Sequence, residues 1–271
     1  MLPFDNPGIL IIGAGRTGTF FADQLERMSL PYLLVDMKRQ DAVHPRRLGN
    51  VTVLGISADR EVVAEYGGKL HRFHCPIIVA ALGARSVPVP FPGWTLPGVI
   101  LASAAQILLQ YPEPNLGQSV VLLTSEPQGT LAERVRAVAG KTTVLHWNDV
   151  AWLEASGKNG VQRFSWRPKR PGGTAAATAE SIAADTVIVD AGWMPHVELF
   201  HSSGFEMFVD ERGFLRVALR ENGETKTATG IFVVGKAAGV DKSPAAGDYE
   251  TVFAAIRQYF SGLQQHDEYD R

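Results

Sequence analysis

Cysteine is almost absent. Cys75 is the only one in 271 residues, which excludes an internal disulfide, a redox dithiol pair and a cluster held by several thiolates. Its place just before a buried-looking apolar run reads as a small core residue rather than a nucleophile. No apolar run approaches the roughly 20 residues needed to span a bilayer. Charge of one sign is not in surplus either: 26 Lys and Arg stand against 28 Asp and Glu, a formal net charge of -2. No broad field therefore draws the chain to nucleic acid or to an anionic membrane, and neither is expected as a partner. The opening MLPFDNPGILIIGAG lacks the basic flank and cleavage site of a signal peptide, so a cytoplasmic protein is expected. Clustered metal ligands are missing too. His71, His74 and Cys75 are close in sequence, but on a strand 71 and 75 share one face and 74 points to the other, so no metal site is expected. No Ser–His–Asp set or carboxylate pair follows from spacing, and no catalytic residue is named.

What is present is a series of short, β-branched apolar runs that stop at glycine, the pattern of strands buried on both faces. Gly8–Ile12 is the first, followed by a helix over Thr17–Met28 with Phe21, Leu25 and Met28 on one stripe, and then by Pro31–Asp36. This is one βαβ unit. Val51–Ile56 and Lys69–Phe73 read as antiparallel strands, with Asp59–Tyr66 between them left unassigned, and Pro76–Leu82 reads as another buried strand. The proline-rich segment 86–99 excludes helix and central strand and reads as an ordered crossing, with Trp94 as its packing anchor or, as the alternative, a partner contact. A second α/β unit follows, with strands at Ser119–Leu123 and Thr142–Trp147 around a helix at Thr130–Ala139. A small meander at 150–184 leads to a buried strand, Asp185–Ala191, and residues 167–180 read as a hairpin tip. Ile231–Val234 is the last strand, and Asp248 is placed to cap a final helix over Tyr249–Leu263.

Gly13-Ala14-Gly15-Arg16-Thr17-Gly18 carries the chemistry. The pattern follows a strand, opens a helix and precedes an acid at the end of the next strand, which is the context a dinucleotide fingerprint requires. Gly13 permits the tight turn, Gly15 lets a diphosphate approach the backbone, and Gly18 lets the helix pack closely on the strand. The helix start offers unpaired N–H groups and a partial positive charge to the phosphates. Asp36 lies 18 residues beyond Gly18, where its carboxylate can accept ribose hydroxyls and disfavours a 2′-phosphate. A mononucleotide such as ATP would suit the same bend. Arg16 and Thr17, and Met37 and Lys38 at the start of the loop that covers adenosine or phosphate, join the nucleotide-facing set.

Further motifs carry a family likeness. Thr229-Gly230-Ile231-Phe232-Val233-Val234-Gly235-Lys236 resembles the distal FAD motif of the pyridine nucleotide-disulfide oxidoreductase superfamily. Ala80-Ala81-Leu82-Gly83-Ala84 resembles its central A-T-G motif, and Asp185–Pro195 the segment where the chain returns from the NAD domain. Pro88–Val99, leading into Ala102-Ser103-Ala104-Ala105-Gln106, is similar to the alpha-type subunits of multi-subunit amine dehydrogenases. That group includes opine oxidases, archaeal proline dehydrogenases, sarcosine oxidase (its alpha chain) and hydrogen cyanide synthase (its B-type chain). The resemblance implies an α/β protein of two Rossmann-like three-layer dinucleotide-binding domains, the second inserted into the first. The implied bounds are 1–105 with 230–271 for the FAD-type domain, and 106–229 for the inserted one. It implies FAD contacts at Ala81, Gly83, Gly235 and Lys236, and a partner subunit carrying its own flavin.

Three departures modify that expectation. The distal motif presents Asp after its glycine, where this chain has Lys236, and an ammonium cannot accept a hydrogen bond; it suits a phosphate, in FAD or in ATP, or equally a solvated position. Only Met37–Asn50 stands where a long helical excursion helps wall the flavin ring. The strand at 119–123 leads not into a second GxGxxG but into Thr124-Ser125-Glu126-Pro127-Gln128-Gly129. There Pro127 removes an N–H donor and Glu126 repels phosphate, which argues against NAD(P)H at that loop. The expected function is an FAD-binding subunit of a flavin-dependent oxidoreductase acting on an amine or amino acid with a partner. The rival is a non-catalytic scaffold subunit holding FAD, ATP or ADP, and a third reading is a stand-alone NAD(P)H-dependent reductase.

Overall fold

The structure, a computed structural model, describes residue 4 and residues 7–39, 44–169, 178–240 and 245–269, with backbone alone at 246 and 263–269. Part of the loop after Asp36 (40–43) and most of the expected hairpin tip (170–177) lie outside the described residues.

In chain order the elements begin with β1 (Ile9–Ile12), α1 (Arg16–Arg27), β2 (Leu33–Val35), β3 (Arg47–Leu48), β4 (Val51–Ile56), β5 (Glu61–Tyr66), β6 (Lys69–His74), β7 (Ile77–Ala80) and β8 (Ala84–Ser86). Then come β9 (Val99–Leu101), α2 (Ala102–Leu108), β10 (Ser119–Thr124), α3 (Thr130–Val138), β11 (Lys141–His146), β12 (Val150–Ser156), β13 (Arg163–Pro168), β14 (Glu180–Ala183), β15 (Thr186–Asp190) and β16 (Trp193–Pro195). The chain ends with α4 (Glu198–Ser202), β17 (Met207–Val209), β18 (Leu215–Val217), β19 (Ile231–Val233) and α5 (Glu250–Tyr269). These form two compact units: Met1–Ala84 with Pro195–Arg271, and Arg85–Met194.

The first of these units is built on a parallel sheet in the order β19-β7-β1-β2-β3. Its central strands are apolar at every position because both faces are covered. Ile9 and Ile11 of β1, with Ile77, Val79 and Phe232, bury against Phe21 and Leu25 of α1 and Phe253 and Ile256 of α5. Leu10 and Ile12, with Ile78, Ala80 and Val233, face the other way, onto Val51, Ile56, Val62 and Ala64 of the antiparallel sheet β4-β5-β6. The result is three layers: helices, parallel sheet, antiparallel sheet. The second unit repeats the plan. Its sheet runs β11-β10-β15-β9. Val120, Leu122 and Ile188 pack on α2 and α3, while Val121, Leu123, Val187 and Val189 pack on the β12-β13-β14 meander through Phe164 and Trp166.

Several sequence expectations change. The stretch left unassigned between β4 and β6 contains a strand, β5, which pairs antiparallel with both. Trp94 is not a packing anchor: it is 43% exposed and its neighbour Phe91 is buried instead. The reason is Gly93, whose positive φ of 83° and approach to the Ala155 carbonyl turn the chain and point the next residue outward. Asp248 lies in the turn before α5. It accepts from the Ala245 N–H at 3.1 Å within a 3-10 turn over Ala246–Tyr249 that precedes the helix.

Cys75 is fully buried, with its thiol donating to the Ile77 carbonyl at 3.1 Å. Burial pushes the Cys75 thiol up from 9.0 to about 12. The folded state therefore holds this proton between pH 9.0 and about 12 while the unfolded chain releases it, so its contribution is complete below pH 9.0 and is lost as pH rises. Native protein is expected to resist thiol alkylation at neutral pH and to react on unfolding; a mass-shift assay with and without denaturant checks this. No described helix is long and apolar enough to cross a membrane.

Candidate functional site

In a parallel sheet every strand delivers its C-terminal end to the same edge. β1 and β2 run to one side, whereas β7 lies on the other side of β1, so the chain changes direction between β1 and β7. That crevice is where open α/β sheets bind ligands. Gly13 leaves β1 there, Ala81 and Gly83 leave β7, Gly235 leaves β19 and Asp36 leaves β2.

The glycines have separate jobs. Gly13 has φ of 102°, and a Cβ on it would lie 2.5 Å from the Ala81 carbonyl oxygen; its N–H donates to the Val35 carbonyl at 2.8 Å. Gly18 is buried in the first turn of α1, where a Cβ would lie 1.8 Å from the Gly13 oxygen. Gly15 is the residue at the helix start. It is exposed, and among the described residues nothing lies within 4 Å of the Cβ it lacks. No side chain caps that end of α1, and no acid stands in its first turn. The bend is therefore a cradle that is open where an anion would approach, and its shape fits a diphosphate.

Asp36 completes it. One carboxylate oxygen accepts from the Ala14 N–H at 2.6 Å, and the other accepts from the Lys38 N–H at 2.7 Å. The half-buried carboxylate is thus fixed beside the glycine bend, with lone pairs remaining for ribose hydroxyls. Asp36→Asn cannot accept at both positions, since its amide nitrogen would face an N–H donor. It is expected to lower stability by roughly 1–3 kcal/mol, read by urea denaturation, and to weaken nucleotide binding in the same preparation.

The other residues named from the sequence fall around this bend. Arg16, Met37 and Lys38 are exposed, Met37 at 70%. Thr17 touches the distal motif: a Cβ on Gly235 would lie 2.6 Å from the Thr17 hydroxyl, so the segments after β1 and β19 are in close contact. Lys236 is half-buried in a single 3-10 turn, Gly235–Ala238, ended by left-handed Gly239. Gly83 takes φ of 72°, with nothing among the described residues within 4 Å of the Cβ it lacks, and its carbonyl accepts from the His196 N–H at 3.1 Å.

Sequence reasoning missed the group that anchors the far end of the loop after Asp36. Arg47 donates to Asp23 at 2.6 Å, and the Tyr32 hydroxyl donates to Glu26 at 2.5 Å. Arg46 lies over the Tyr32 ring at 5.7 Å. The hydrogen bond from Tyr32 holds the Glu26 carboxyl below its usual range. These contacts tie β3 to α1 across 24 residues of sequence, a distance no local pattern reveals.

Two other features lie apart from the bend. A cavity of about 490 Å³ lined by Arg220, Asn222, Glu224, Thr229 and residues of α5 opens beside Thr229, at the opposite end of β19 from Gly235. Among the described residues no group of three or more His, Cys, Asp or Glu is placed to hold a metal.

Comparison with known proteins gives a consistent picture. No protein-family profile matches the chain. It is 26% identical over 204 residues to the A subunit of opine oxidase from Agrobacterium tumefaciens, a match covering 62% of this chain and 40% of that protein. Among solved structures it is similar to thioredoxin reductase of Lactococcus lactis, with a TM-score of 0.70 at 15% identity, covering 95% of this chain and 100% of that one. It is also similar to L-proline dehydrogenase from P. horikoshii, with a TM-score of 0.65 at 18% identity, covering 86% of this chain and 51% of that one. Identities this low speak for the fold, and the chain spans about two fifths of the curated relative's length.

Proposed function

We propose that this chain, which shares its fold with thioredoxin reductase and L-proline dehydrogenase, is an FAD-binding subunit of a flavin-dependent oxidoreductase. In this reading it oxidises an amine or amino acid together with a partner subunit. The observation that carries the reading is the open backbone at Gly15 beside a carboxylate fixed at both oxygens. Gly13, Gly15, Arg16, Thr17 and Gly18 hold the diphosphate and Asp36 the ribose. Ala81, Gly83 and Gly235 let backbone approach the cofactor, and Met37 and Lys38 border the adenosine. FAD, when bound, supplies the hydride acceptor, and the protein supplies orientation and exclusion of water. The choice of an amine and of a partner subunit is supported by the names of the similar proteins, the opine oxidase subunit of Agrobacterium tumefaciens and L-proline dehydrogenase.

The absorption spectrum of the purified chain, with mass analysis of the ligand released on denaturation, tests this. Bound FAD that bleaches with an amine in the presence of the partner supports it. An adenine nucleotide without flavin favours the scaffold reading, for which Lys236 is the supporting observation, since its ammonium matches a phosphate rather than a ribityl hydroxyl donor. Bleaching by NADH alone favours the stand-alone reductase. Under either nucleotide reading, Lys236→Ala is expected to weaken binding about tenfold, the scale of one charge-assisted hydrogen bond. Titrations at low and high salt check it, because the loss should shrink as ionic strength rises.

A further inference from the structure

The turn that opens α3 has nearly the same backbone form as the one that opens α1. Gly129 precedes α3 with φ of -76° and ψ of 165°, and Gly15 precedes α1 with φ of -69° and ψ of -174°. What stands over the two glycines differs. Nothing described lies within 4 Å of a Cβ on Gly15, whereas a Cβ on Gly129 would meet the Glu126 carboxylate oxygen Oε2 at 3.0 Å and the Glu126 Cβ and carbonyl oxygen at 3.1 Å.

The rest of the turn is used internally. The Glu126 N–H donates to the buried Thr124 hydroxyl at 3.0 Å, and that hydroxyl donates to Asp190 at 2.7 Å. The Gly129 N–H donates to the Glu126 carbonyl at 2.9 Å. His146 Nε2 lies 3.1 Å from the Ser125 carbonyl, and Arg136 donates to the Pro127 carbonyl at 3.0 Å. Pro127 has no N–H to offer. Glu133 adds a second negative charge in the first turn of α3. A dinucleotide diphosphate at this strand-to-helix turn needs backbone donors, a glycine surface and a positive helix start. Here a carboxylate lies on the glycine, two of the N–H groups are spent inward, and a second carboxylate, Glu133, stands in the first turn of the helix.

We infer that the second unit is closed to nicotinamide dinucleotides by its own residues, and that Glu126 is the side chain that decides it. Electrons then do not enter this chain from NAD(P)H through that unit. The inference concerns α3 alone and stands whether or not FAD occupies the bend at α1.

The test uses the full chain, with NADH as probe and nicotinamide fluorescence as readout. Wild-type protein is expected to show no saturable binding below about 1 mM. Glu126→Gly removes both the charge and the obstruction, and its Kd is expected to fall at least about fivefold below the wild-type limit. Glu126→Gln keeps the bulk and removes the charge, and should gain less. Micromolar NADH binding by the wild type that Gly15→Ala leaves unchanged, and that therefore lies outside the bend at α1, overturns the inference. So does the absence of any gain in Glu126→Gly with its melting temperature kept, or, where that variant fails to fold, in Glu126→Gln.

Discussion

Gly18→Ala is expected to destabilise the first unit by about 3 kcal/mol or more, against what helix propensity alone would give. Alanine in place of glycine inside a helix ordinarily gains up to about 1 kcal/mol. At this position the added carbon would sit 1.8 Å from the Gly13 oxygen, 2.9 Å from the Gly13 carbonyl carbon and 3.4 Å from the Ala81 side chain. The first two are backbone atoms of the bend itself, so no rotamer change relieves them. Either α1 lifts from β1, exposing the Phe21 and Leu25 contacts, or the bend deforms. Overpacking of side chains alone costs about 1–3 kcal/mol, and a clash with fixed backbone falls at or above the upper end. At roughly 2–4 °C per kcal/mol the unfolding midpoint should drop by about 6 °C or more. Scanning calorimetry checks this, and an unchanged or raised midpoint would show that α1 is not packed on β1 as described.

How far the sequence foretold the molecule depends on how local each determinant is. β1 was legible because Ile9 through Ile12 are all buried, so the run is apolar without interruption. β5 was not, because only Val62 and Ala64 are fully buried, and Glu61 and Glu65 break the run. β17 escaped notice for a related reason: it is three residues long, and Phe208 and Val209 point outward. The glycine bend and Asp36 were legible because each residue answers a backbone requirement within one βαβ unit. The Arg47–Asp23 tie was not, since both residues look like solvated charges until the fold brings them within 2.6 Å. Glu126 was legible as a charge unsuited to phosphate; that its carboxylate lies on Gly129 depends on how the turn folds back on itself.

The second large effect is on binding and leaves the fold alone. Gly15 has negative φ, no described residue within 4 Å of its missing Cβ and an exposed position. Alanine is therefore tolerated by the folded chain, and the melting temperature should stay within about 2 °C of wild type. The methyl group would instead project into the space through which a diphosphate reaches the helix start. Nucleotide affinity is expected to fall at least about tenfold, since charge-assisted contacts to backbone N–H groups depend steeply on distance.

The most direct measurement is an FAD titration of ligand-stripped wild type and Gly15→Ala, followed by flavin fluorescence, with a melting curve of each protein alongside. The account predicts saturable binding to the wild type, at least about tenfold weaker binding to the variant, and matching melting curves. Equal affinity in two equally stable proteins would place the diphosphate somewhere other than this bend and contradict the account.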